Sequence, residues 1–144
     1  MNLISSVILP GSDEGPALRM SGPFSFWGGV DPATGVLTDP GNAHFGMTIA
    51  GSIFFIPETR GSSSSSAVLL ELLKSGQAPK AIVLGEIDAI VGLGILVARE
   101  MGWAAIPLLV MPRESQVCVE NDAWVTVYPD GRIDVRARTS GEPQ

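Results

Sequence analysis

The run KAIVLGEIDAIVGLGILVAREMG, residues 80–102, decides how this chain is read. Residues 80–84 form a short apolar run with Val and Ile, the composition of a strand buried on both faces. Asp88 stands just before a longer apolar stretch, where a carboxylate accepts from the free N–H groups of a helix start. The spacing predicts a helix over 89–101, ended by Gly102. Gly92 and Gly94 inside it each cost about 1 kcal/mol against alanine, so close packing against a neighbour is expected to offset them. Residues 106–111 (IPLLVM) give the next buried strand.

The same alternation extends upstream. TIAGSIFFI, residues 48–56, is the clearest strand of the first half, with Gly51 read as a bulge. AVLLELLK, residues 67–74, has apolar residues at 69, 70, 72 and 73 and is followed by Gly76, as a helix and its C′ residue would be. The order strand–helix–strand–helix–strand predicts βαβ units with right-handed crossovers and a parallel sheet. Residues 1–60 read otherwise as all β: 17–25 extended, 36–38 a short strand, with turn clusters at Gly28-Gly29-Val30-Asp31-Pro32 and Asp39-Pro40-Gly41-Asn42. Residues 123–128 and 132–138 alternate strictly around Pro129-Asp130-Gly131, which predicts a β-hairpin. The tail 139–144 is expected to fray. The fold class is therefore α/β, with one domain over 1–144, at ~150 residues per domain.

Composition excludes several function classes. Hydrophobic residues make up 45% and charged residues 17%, enough for a packed core and too little charge for a disordered chain. The net charge of −6 is spread along the chain, which argues against nucleic acid and anionic membrane surfaces. One cysteine, Cys118, forbids an intrachain disulfide, and Cys118 with the one histidine, His44, cannot make a Cys/His zinc site or ligate an iron–sulfur cluster. Val117 and Val119 on either side lead us to expect Cys118 as a buried, inert thiol beside a strand. The longest apolar stretch, 89–98, is about half of the ~20 residues a spanning helix needs. The N-terminus lacks a basic signal region. A cytoplasmic protein is expected.

The segment with chemical content is PETRGSSSSS, residues 57–66. A strand ends, a glycine turns the chain and a helix begins. Unsatisfied N–H groups at a helix start attract an anion, or an oxygen that becomes one, and Arg60 adds a formal charge. The plain alternative is a run of capping hydroxyls, with Ser65 simply pointing along the helix. A phosphate-binding loop of the Walker type is excluded because no lysine follows. A nucleophile elbow is excluded because G-x-S-x-G is absent, and a Ser–His dyad has only His44 to draw on. Gly28-Gly29 allows a ligand close to the backbone, or is an ordinary turn. Glu86 and Asp88 follow the strand 80–84, where α/β ligands gather, although capping alone accounts for Asp88.

Taken together, Gly28-Gly29-Val30-Asp31, Arg60-Gly61-Ser62-Ser63 and Ala78-Pro79-Lys80-Ala81-Ile82 resemble the swivel domain of the aconitase X proteins, over about residues 15–112. The resemblance implies a swivelling β/β/α domain. It implies the small subunit of a two-chain hydro-lyase whose large subunit carries an iron–sulfur cluster, with no cofactor in this chain. Ser62 would be the serine that takes the substrate proton. Arg60, Gly61 and Ser63 would shape an anion-binding loop, and Gly28, Gly29 and Val30 would line the substrate side of the cleft. Family members dehydrate cis-3-hydroxy-L-proline or mevalonate 5-phosphate. The serine-rich continuation after Ser62 resembles the hydroxyproline group, and Thr59 stands where the family usually has glycine. A rival of another class is a non-catalytic anion-binding or regulatory module. A split enzyme agrees with the composition, because loss of hydroxide β to a carboxylate needs a Lewis acid that one cysteine cannot hold.

Overall fold

The computed structural model describes residues 1–61, 63–103 and 106–137. At its centre lie three parallel strands, β4 (Ile53–Ile56), β5 (Ala81–Leu84) and β6 (Leu108–Val110), connected through helices α2 (Ser64–Ser75) and α3 (Ala89–Glu100). Every residue of β4 and β5 is buried, which is why these strands read as continuous apolar runs. Asp88 caps α3 as the sequence predicts, its Oδ1 accepting from the N–H groups of Ile90 (2.9 Å) and Val91 (3.3 Å). Gly76 closes α2 in the left-handed conformation. A Cβ on Gly94 would stand 3.3 Å from the Ser66 carbonyl oxygen, so this glycine lets α3 lie close on α2. Gly92 meets only the Leu108 side chain, at ordinary distance.

β3 (Asp13–Arg19) runs parallel to β4 on one edge and antiparallel to β7 (Trp124–Val127) on the other. β7 and β8 (Arg132–Arg136) form the expected hairpin, β1 (Asn2–Ile4) pairs with β8, and β2 (Ser6–Leu9) pairs with β6. The order β1-β8-β7-β3-β4-β5-β6-β2 puts β1 and β2 at opposite ends of the sheet. Only Ser5 separates them in the chain, and two Cα–Cα steps span less than ~8 Å. The sheet must therefore curl until its edges meet.

Period-two alternation sorts the side chains. Ile53, Phe55, Ala81 and Val83 face inward against Val125, Val127 and Ile133 of the hairpin. Phe54, Ile56, Ile82 and Leu84 face outward under α2 and α3. Two β layers and one helical layer result.

Several local expectations are corrected. The strand expected over 48–56 begins only at Ile53, because Gly51 has φ +77° and sits in a turn rather than a bulge. The extended run 17–25 ends as a strand at Arg19, and 36–38 contributes only single bridges. The first half is not purely β, since α1 (Phe26–Gly29) is one irregular turn. Cys118 is exposed, in the turn that follows α4 (Arg113–Gln116), while Val119 beside it is buried. The hairpin's last expected residue, 138, and the tail 139–144 lie outside the described residues.

Candidate active-site loop

The C-terminal end of β4 delivers the chain into Pro57-Glu58-Thr59-Arg60-Gly61, and α2 starts at Ser64. Ser62 lies outside the described residues, so the structure speaks to its two neighbours and their surroundings. Gly61 has φ +137°, a conformation that L side chains rarely adopt. A Cβ there would lie 2.7 Å from Ser65 Oγ and 3.4 Å from Ser25 Oγ. Two hydroxyls thus flank the glycine that turns the chain into the helix. Ser65 is buried, not pointing along a solvated helix. Ser63 is exposed and occupies the N-cap position without a side-chain hydrogen bond. Arg60 is 71% exposed, and its guanidinium is 3.9 Å from the Glu58 carboxylate, so part of its field is already countered.

The loop has two anchors. Phe24 bridges Thr59 in parallel: the Phe24 N–H donates to Glu58 O and the Arg60 N–H donates to Phe24 O, both at 2.9 Å. On the other side Thr59 Oγ1 donates to Asp88 Oδ2 at 2.6 Å. One carboxylate therefore caps α3 with one oxygen and holds the loop with the other. Behind the loop a Cβ on Gly85 would come within 2.0 Å of Pro57 O, so only glycine fits where β5 ends.

The Gly28-Gly29 turn is carried to the same place by packing. Phe24 and Phe26 are buried and stand edge-on to each other and to Phe54 of β4, with ring centroids 5.2 to 6.4 Å apart. Such pairs contribute about 0.5–1.5 kcal/mol each beyond area burial. Between these anchors Ser25 Oγ donates to Trp27 O at 2.9 Å, and Gly28 turns the chain at φ +82°. Gly28 and Gly29 line a cleft of about 200 Å³ together with Ser25, Trp27, Asp39 and Asn42. Val30 does not line it; its side chain is buried in the core beneath α2, which corrects the sequence expectation. Glu86 is exposed and forms no acid–base pair with Asp88, whose oxygens are engaged with α3 and Thr59. Sequence reasoning missed Ser25, Ser65 and the role of Thr59, and it also missed Trp27, which is 67% exposed at the cleft rim.

An iron–sulfur cluster does not fit this chain. The sequence has one cysteine and one histidine, and among the described residues no three His, Cys, Asp or Glu side chains converge as metal ligands. No helix among the described residues is long and apolar enough to cross a membrane.

The sequence model of the aconitase X swivel domain matches residues 2–135. The chain belongs to the aconitase X swivel-domain family. A cis-3-hydroxy-L-proline dehydratase of Hypocrea jecorina is 42% identical over 101 residues, which are 70% of this chain and 17% of that protein. A phosphomevalonate dehydratase small subunit of Thermococcus gammatolerans is 42% identical over 98 residues, 68% of this chain and 75% of that protein. The crystal structure of Thermococcus kodakaraensis aconitase X in its holo-form matches with a TM-score of 0.82 at 34% identity, covering 94% of this chain and 98% of the matched chain. The chain thus spans about a sixth of the hydroxyproline relative and three quarters of the phosphomevalonate one. The swivelling β/β/α fold expected from the resemblance is the fold observed.

Proposed function

We propose that this chain, as one swivel domain, is the small subunit of a two-chain aconitase-X-type hydro-lyase. The substrate is cis-3-hydroxy-L-proline, dehydrated to a pyrroline-2-carboxylate. Ser62, next in the chain after Gly61 and two residues before α2 begins, is the general base. The Ser62 alkoxide takes the α-proton, the C–O bond at the β-carbon breaks as the C–C double bond forms, and the departing hydroxide takes up one proton, so that return of the proton from Ser62 leaves water and the alkoxide. A serine hydroxyl is too weak a base unless held as an alkoxide, and the partial positive charge at a helix start favours that form. Arg60, Gly61 and Ser63 form the anion-binding rim, while Gly28 and Gly29 let the substrate approach the backbone. The Lewis acid comes from a larger, cluster-bearing chain in the cytoplasm. One observation carries the reading: the Gly61 turn, with φ +137°, is clamped by the Phe24 bridge and the Thr59–Asp88 hydrogen bond just before Ser62.

Phosphomevalonate dehydration is the second reading. It is favoured by one specific observation: relatives named phosphomevalonate dehydratase small subunit match at the same 42% identity as the hydroxyproline relative.

The test is Ser62→Ala assembled with the larger chain and assayed on both substrates. Proton transfer by a positioned group contributes roughly 10²–10⁴-fold, and kcat should fall by that factor with KM little changed. Stability should fall by no more than ~1 kcal/mol, since neighbouring serines can cap. Wild-type kcat in a variant that melts early would make Ser62 a structural cap. Turnover of mevalonate 5-phosphate alone would move the chain to the second reading. An intact chain that neither assembles nor turns over either substrate would leave the non-catalytic module.

A further inference from the structure

A second cleft opens where β3, β4 and β6 end, on the edge of the sheet where α/β folds gather ligands. Its volume is about 380 Å³, and its walls include Arg19, Ser21, Pro57, Arg113, Glu114 and Gln116. Pro57 is the first residue of the candidate loop. A smaller depression shares Ser21 with this cleft and shares Pro23, Asp39 and Asn42 with the Gly28-Gly29 cleft. The three form one trough from the arginines to the double glycine.

Gln116 is 1% exposed and closes the inner end. Its Nε2 donates to Met111 O at 3.0 Å and, at longer range, to Ile56 O (3.4 Å) and Val83 O (3.5 Å). Its Oε1 is buried and meets no donor among the described residues. Arg19 is half-buried, its Nε donating to Val119 O at 2.8 Å, which fixes the guanidinium with its two terminal nitrogens unused by any described hydrogen bond. Arg113 has no carboxylate within 4.0 Å among the described residues, although Glu114 adjoins it on the cleft wall. Two arginines and one carboxylate, Glu114, line the cleft, so its walls carry a net positive charge in a chain with 15 acidic and 9 basic residues, and neither arginine is in an ion pair among the described residues. A guanidinium presents paired N–H groups that match the two oxygens of a carboxylate or phosphate.

We propose that the Arg19–Arg113 cleft is a binding subsite for a small-molecule oxyanion, a carboxylate or a phosphate group, at the far end of the trough from Gly28-Gly29. The proposal is independent of the dehydratase reading, because it needs neither the larger chain nor turnover.

The test is a chemical-shift titration of the full chain with inorganic phosphate and, separately, with acetate, at constant ionic strength and pH. Saturable shifts are expected at Arg19, Ser21, Arg113 and Gln116. Arg113→Gln should weaken the tighter anion about tenfold, the loss of one charge-assisted hydrogen bond. Arg132→Gln removes the same charge from the remote hairpin, where the guanidinium stacks 4.0 Å from the Tyr128 ring, and should leave binding unchanged. Tighter phosphate points to a phosphorylated guest, and tighter acetate to a carboxylate. The proposal is overturned if neither anion gives saturable shifts at these residues, if Arg113→Gln binds like wild type, or if Arg132→Gln weakens binding as much.

Discussion

Replacing Gly61 by alanine tests the loop geometry directly. Two costs are separable. The backbone cost comes from holding an L residue at φ +137°, about 1–3 kcal/mol for a sparsely populated conformation. The contact cost comes from a Cβ placed 2.7 Å from Ser65 Oγ, which a hydroxyl rotation relieves in part. At about 4 °C per kcal/mol for a chain of this size, the backbone cost alone lowers Tm by about 4–12 °C. Thermal melting of the isolated chain measures it. Ser65→Ala in the Gly61→Ala background then divides the loss: the contact cost is recovered and the backbone cost is not. On the proposed assignment of Ser62 as the base, a 1 Å displacement costs about 10²-fold, so Gly61→Ala assembled with the larger chain should fall by that order in kcat even where it remains folded. Unchanged Tm and turnover in Gly61→Ala would refute the reasoning, because residue 61 would then not hold this conformation.

Two further outcomes are expected. Asp88→Ala removes the cap of α3 and the acceptor for Thr59, so stability should drop by about 1–2 kcal/mol. Asp88→Asn, which keeps an acceptor for the helix and a partner for the hydroxyl, should melt within about 0.5 kcal/mol of wild type by denaturant unfolding. Gly94→Val introduces a branched side chain where even a Cβ is 3.3 Å from Ser66 O; α3 must move off α2, and an overpacking cost of about 1–3 kcal/mol should appear in the same assay, whereas Gly92→Ala, whose Cβ meets only the Leu108 side chain at 3.7 Å, should gain up to about 1 kcal/mol of helix propensity.

The parallel unit was legible because its strands are buried on both faces and its helices carry their own start and stop residues, Asp88 and Gly76. The N-terminal strands were not. β1 and β2 are three and four residues long and partly exposed, so no periodicity marks them. Their partners are remote in the chain, Asn2 with Asp134 and Ser6 with Val110, and closure of the sheet is a property of that long-range pairing. Cys118 misled for a related reason. Flanking valines imitate a strand, but the turn after α4 points only Val119 inward. Val30 misled because its glycine neighbours line the cleft while the backbone turns its own side chain into the core.

The candidate loop shows where sequence logic stops. Gly28-Gly29 and Arg60-Gly61-Ser62 announce themselves by residue type, but what fixes the described part of the loop comes from elsewhere in the chain. Thr59 stands where the resemblance leads one to expect glycine, and the structure shows why a side chain is tolerated: residue 59 is in a β-bridge with Phe24, an extended conformation open to any residue. Its hydroxyl then reaches the Asp88 carboxylate at 2.6 Å. The freedom that a second glycine would supply is replaced by a tie to the cap of α3, which leaves Gly61 as the residue that turns the chain before Ser62. A loop held at 59 and turned at 61 has little slack up to Gly61, and the general base proposed at Ser62 needs that kind of backbone before it, since its efficiency depends on position before it depends on acidity.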